Sequence, residues 1–135
     1  MSVKINLPEM YPVKGFKLGT ACAGIKLLDH KDLVIMSYPA ESNVAGVFTQ
    51  NAFCAAPVYI AKEHLKKAKT QYFVINTGNA NAGTGDQGMA DGLTTCEQLG
   101  QLTGTGPQSI LPFSTGVIGE SLPVDKIIKA LPNAL

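Results

Sequence analysis

A mixed α/β fold, with sheet layers and packed helices, is what this sequence predicts. Short apolar runs rich in β-branched residues crowd the first half, and strand-like and helix-like periods alternate in the second. Neither a repeat nor a linker divides the 135 residues, so 1–135 read as a single domain or part of one. Apolar residues make up 45% of the chain and charged residues 16%, against roughly 25% charged in soluble domains at large. Such a chain buries much of itself or is covered by a partner, and it is not disordered.

Residues 1–15 carry little pattern and read as an extended lead-in. Residues 20–26 (TACAGIK) and 33–38 (LVIMSY) are short apolar runs joined by Asp29-His30-Lys31-Asp32, which favours a hairpin. Residues 44–49 (VAGVFT) are a third strand candidate. The period then changes. Over 56–69, Val58, Ile60, Ala61, Leu65 and Ala68 share a helical stripe, the lysines take the other side, and Pro57 fits the first turn.

Residues 72–76 (YFVIN) form the clearest strand, closing on Asn and Gly. Residues 86–100 follow a helical period, with Met89, Leu93, Cys96 and Leu99 stacked on one face and Asp86 suited to the first turn. Residues 109–114 (SILPFS) read as a strand that Pro112 assigns to an edge. A last helix over 123–130 turns Val124, Ile127, Ile128 and Leu131 inward before reaching Pro132. An apolar helix so close to Leu135 suggests a truncation or an interface.

Several function classes are excluded. All eleven basic residues are lysines, balanced by ten acids, and the cluster from Lys62 to Lys69 reads as a solvated helix face. Phosphate-reading surfaces favour the planar fork of arginine, so nucleic acid is not the expected partner. No apolar run approaches the ~18 residues of a membrane span, and no targeting pattern marks the first residues. Cys22, Cys54 and Cys96 lack zinc or disulfide spacing and read as reduced, buried thiols of a cytoplasmic protein. His30 and His64 lie in polar, lysine-flanked surroundings typical of a surface, which argues against a Cys–His pair.

Two loops remain as places for chemistry. Residues 76–85 (NTGNANAGTG) follow a strand and precede a helix. That arrangement can cradle a phosphate, yet no GxxxxGK[ST] lysine is present, and an asparagine-buttressed turn fits better. Residues 114–119 (STGVIG) also follow a strand. On the residues alone they are a strand-terminating turn, or a hydroxyl and a bare backbone N–H able to hold an oxyanion. No carboxylate pair, Ser–His–Asp set or metal cluster accompanies them, so the catalytic apparatus is incomplete.

Six motifs occur in order: Gly15-Phe16; Ala23-Gly24-Ile25-Lys26; Ala45-Gly46-Val47-Phe48-Thr49-Gln50-Asn51; Ala55-Ala56-Pro57-Val58; Asn76-Thr77-Gly78-Asn79-Ala80-Asn81-Ala82; and Ser114-Thr115-Gly116-Val117-Ile118-Gly119. From about Gly15 onward the chain resembles the N-terminal, α-chain part of the ornithine acetyltransferases (glutamate N-acetyltransferases) of arginine biosynthesis. Gly83 stands where many members have cysteine. The resemblance implies the self-processing ornithine acetyltransferase or DmpA-like fold. It also implies a precursor that cuts itself before a threonine, and a β chain whose N-terminal Thr is the nucleophile with its own amine as base.

By the same resemblance, acetyl passes from N-acetylornithine to glutamate in a ping-pong cycle, and some members accept acetyl-CoA. Thr115 and Gly116 take the family's oxyanion-hole positions. An α2β2 or similar assembly is implied, with no metal or redox cofactor. The nucleophile, the cleavage junction and the substrate-binding residues of the family fall beyond the position matching Leu135. Residues 1–135 alone are therefore expected to transfer no acetyl group. A non-catalytic fragment or interaction module of the same fold, and a related self-cleaving amidohydrolase or aminopeptidase, are the alternatives.

Overall fold

A computed structural model describes residues 8–135. The first seven residues of the expected lead-in lie outside the described residues, and residues 8–13 have no regular structure. The chain then runs β1 (Lys17–Ala21), β2 (Leu33–Ser37), α1 (Ala56–Lys67), β3 (Tyr72–Asn79), α2 (Gly85–Thr103), β4 (Ile110–Val117) and α3 (Val124–Ala134). A short 3-10 turn, Pro107–Ser109, leads into β4.

One four-stranded sheet has the order β1-β2-β3-β4. β1, β2 and β3 pair antiparallel, and β4 runs parallel to β3 after the crossover through α2. The expected mixed α/β architecture is therefore the one present. Alternation along the strands sends Leu33, Ile35, Val74 and Ile110 to the helix-covered face, where they meet Ile60, Cys96, Leu99, Ile127 and Leu131. Each fully buried aliphatic side chain there stabilises the fold by roughly 1.5–3 kcal/mol. Among the described residues the opposite face carries a line of rings, Phe16–Tyr38–Phe73–Phe113, with centroids 5.5, 4.9 and 5.0 Å apart. Leu18 on that face is 52% exposed and Phe113 40%.

Several expectations need correction. The first strand ends at Ala21 because the next N–H groups, at Ala23 and Ile25, bond the Asp32 carboxylate instead of a ladder. Residues 44–49 form no strand. They run beside α1, with Lys62 donating to the Thr49 carbonyl at 3.4 Å, and a local Thr49–Asn51–Phe53 turn leads into the helix. Strand propensity is overridden there by these contacts with α1 and the local turn.

On α2 the buried face is Gly88, Asp91, Gly92, Thr95, Cys96, Leu99 and Gly100, while Leu93 is 38% exposed. Close packing decides this face. A Cβ on Gly92 would stand 2.5 Å from Ile60 Cδ1, so α1 and α2 touch through glycine. α3 continues through Pro132 to Ala134 and buries Ile127, Ala130, Leu131 and Ala134, with Val124 and Ile128 only half-buried. Of the cysteines only Cys96 is buried; Cys22 is exposed and Cys54 half-buried. His30 is exposed as expected, but His64 is buried, its Nδ1 donating to the Ile110 carbonyl at 2.8 Å.

Candidate functional site

The two loops singled out from sequence are partners in space. β3 runs on past Asn76 to Asn79 and β4 past Ser114 to Val117, so each strand takes in residues expected to be loop. In register, Thr77 lies beside Thr115 and Gly78 beside Gly116, with a bulge at Asn79. Gly116 has φ +137°, and a Cβ there would overlap the Gly78–Asn79 backbone. Only glycine lets the strands approach this closely.

Three asparagines lock the end of this pair. Asn76 accepts from the Ser114 hydroxyl at 2.6 Å and donates to the Asn79 carbonyl at 2.9 Å. Asn79, 3% exposed, accepts from the Asn81 N–H at 2.8 Å. Its amide also donates to the carbonyls of Glu120 and Ser121, both at 3.1 Å. Asn81, fully buried with φ +46°, donates to the Gly88 carbonyl at 2.8 Å and accepts from the Thr84 hydroxyl at 2.9 Å. The asparagine side chains of residues 76–85 are thus occupied within the protein. They act as the expected buttress of the turn.

Thr115 and Gly116 are both exposed on β4, the edge strand of the sheet. Among the described residues the Thr115 hydroxyl has no hydrogen-bond partner, whereas the neighbouring Ser114 hydroxyl is committed to Asn76. A cleft of about 250 Å³ opens between Ile25, Lys26, Gly78, Asn79, Val117 and Glu120, at the end of the two strands; neither Thr115 nor Gly116 lines it. The lysine-rich face of α1 is solvated: Lys66 holds the exposed Glu63 carboxyl at 3.0 Å and lowers its pKa, an ion pair of little consequence for stability.

The ArgJ family model matches residues 17–135. The chain belongs to the ArgJ family. Over 129 residues it is 55% identical to the arginine biosynthesis bifunctional protein ArgJ of Pseudomonas syringae pv. tomato, covering 96% of this chain and 32% of that protein. It is 48% identical to the ArgJ of Colwellia psychrerythraea, covering 97% of this chain and 35% of that protein. The chain therefore spans about a third of the length of these curated relatives.

Among solved structures, ornithine acetyltransferase from Mycobacterium tuberculosis in complex with ornithine superposes with a TM-score of 0.85 at 33% identity, over 90% of this chain and 66% of that one. ArgJ from Bacillus halodurans superposes with a TM-score of 0.81 at 33% identity, over 86% of this chain and 61% of that one. The expected resemblance to ornithine acetyltransferase thus holds for both family and fold. Within this ArgJ chain the sequence reading did not single out Asp32. It is a buried carboxylate among residues read as a turn, and nothing local distinguishes it from the neighbouring Asp29.

Proposed function

We propose that this chain is the N-terminal part of an ornithine acetyltransferase that moves acetyl from N-acetylornithine to glutamate. The nucleophile is the N-terminal threonine of a β chain outside this sequence. Its hydroxyl attacks the acetyl carbonyl, its own amine takes the proton, and a C–O bond forms while the carbonyl oxygen becomes negative. The Thr115 hydroxyl and Gly116 N–H stabilise that oxygen, each donor contributing on the order of 3 kcal/mol. Collapse breaks the C–N bond, and the proton goes to the departing ornithine amine. The glutamate amine then attacks the acetyl-threonine ester through the same oxyanion. A C–N bond forms, the ester C–O bond breaks, and the proton from the amine goes to the departing threonine oxygen, releasing N-acetylglutamate and restoring the hydroxyl. Acetyl-CoA fits the same acyl-donor role.

One observation carries this reading. The Thr115 hydroxyl has no partner among the described residues and, next to Gly116, stands exposed on the edge strand β4. An α2β2 assembly in the cytoplasm, working without a metal or redox cofactor, completes the proposal. In the complete enzyme, Thr115→Ala should lower kcat about 10²-fold. Unchanged turnover refutes the role.

A second reading, a non-catalytic interaction module, draws on the exposed apolar residues Leu18 and Phe113 of the sheet. Intact-mass analysis separates the two: a companion chain beginning with threonine supports the enzyme, and a lone 14.2 kDa species supports the module.

A further inference from the structure

Asp32 ends the loop before β2 and is 2% exposed. Its Oδ1 accepts the Ala23 N–H at 2.6 Å and its Oδ2 the Ile25 N–H at 2.7 Å. Its own carbonyl accepts the Thr77 N–H from β3 at 2.9 Å. From α3, Lys126 grips the same arm by donating to the Gly24 carbonyl at 2.8 Å. Residues 23–26 are thus held by charge-assisted bonds, the strongest class available to backbone amides.

The arm is held against a particular place. A Cβ on Gly78 would lie 3.1 Å from Ile25 Cγ2 and 3.3 Å from Lys26 Cβ, so the arm rests directly on the Gly78 backbone. Gly78 is the register partner of Gly116, and Thr77, bonded to the Asp32 carbonyl, is the partner of Thr115. Asp32 therefore contacts the Thr77-Gly78 step from two sides: through its own carbonyl, and through the arm that its carboxylate holds.

We propose that Asp32 is a positioning residue for the Thr115–Gly116 pair, acting through residues 23–26 and the Thr77-Gly78 step. This rests on the oxyanion reading of Thr115 and Gly116. Misplacement of reacting groups by about 1 Å can cost roughly 10²-fold in rate even when the altered residue is remote from the chemistry. A staple that merely held the loop would leave the rate of each folded site unchanged.

The test uses the full-length enzyme, with turnover expressed per active site titrated by the acetyl-enzyme burst. Asp32→Asn keeps one acceptor and turns a donor toward an N–H. It is expected to speed hydrogen exchange at Ala23 and Ile25 and to lower kcat per site about 10- to 100-fold, with KM for N-acetylornithine little changed. Placed on Thr115→Ala, the same substitution should cost less than it does in the wild-type background, because one of the two donors it positions is already gone. Ile25→Ala removes the contact with Gly78 without touching the carboxylate, should reproduce part of the kcat loss, and decides the matter if Asp32→Asn does not fold. Wild-type kcat per site in both variants, or equal losses with and without Thr115, overturns the positioning role. Wild-type turnover of Thr115→Ala alone overturns the oxyanion reading instead, and the proposal with it.

Discussion

Asn79 is the side chain whose loss should most disturb the end of β4. Its orientation is forced: the Asn81 N–H needs an acceptor, the carbonyls of Glu120 and Ser121 need a donor, and only one placement of the amide satisfies all of them. Asn79→Ala removes these bonds. The two carbonyls belong to exposed residues and can rehydrate, but the N–H of fully buried Asn81 is stranded. Allowing about 0.5–1.5 kcal/mol for each bond and a further desolvation cost for the stranded donor gives a loss of about 2–4 kcal/mol.

Asn79→Asp is the sharper probe. It keeps the acceptor for Asn81 but sets a carboxylate oxygen against two carbonyl oxygens, so it should cost at least as much as alanine. Denaturant midpoints, with hydrogen exchange read at residues 117–121, measure both variants. A stability for Asn79→Asp within about 0.5 kcal/mol of wild type, the scatter of ordinary surface substitutions, would show that the donated bonds do not hold this strand end.

Glycines in one motif should differ in sensitivity. Gly116→Ala adds backbone overlap with residues 78–79 to a positive φ and should cost well above ~3 kcal/mol, whereas Gly119→Ala, with φ +80° and open space around it, should cost only about 1–2 kcal/mol; equal melting temperatures for the two variants contradict this packing. Burial first, and Glu97 second, push the Cys96 thiol up from 9.0 to about 12. The fold favours the neutral thiol, so its contribution is complete below about pH 9 and is lost as pH rises toward 12, at up to about 1.4 kcal/mol per pH unit. Urea midpoints between pH 8 and 11 should fall less steeply for Cys96→Ala than for wild type, and a parallel decline refutes the assignment. Under native conditions iodoacetamide should modify exposed Cys22 readily and spare Cys96.

Where a segment's own side chains settle its partners, the sequence was a good guide. α1 was legible because Pro57 starts it and its lysines need water; the pairing of β1 with β2 was legible from two apolar runs across a polar connection. It was a poor guide where a distant group decides. The β propensity of residues 44–49 gave way to contacts with α1. The lysine-flanked His64 turned inward because the Ile110 carbonyl, far along the chain, accepts its proton. Leu93 yielded the buried face of α2 to glycines because Ile60 requires closeness more than apolar area.

Residue order alone establishes the mixed α/β class, the family likeness and the Thr115-Gly116 step, since each rests on local pattern or motif identity. Folding in three dimensions made the two Thr-Gly steps neighbours, turned the asparagines into a lock and aimed the Asp32 carboxylate at the backbone of residues 23–25. Those relations join backbone atoms widely separated along the chain. Hydrogen bonds between such atoms depend on distance and direction in space, which no local run of side chains encodes.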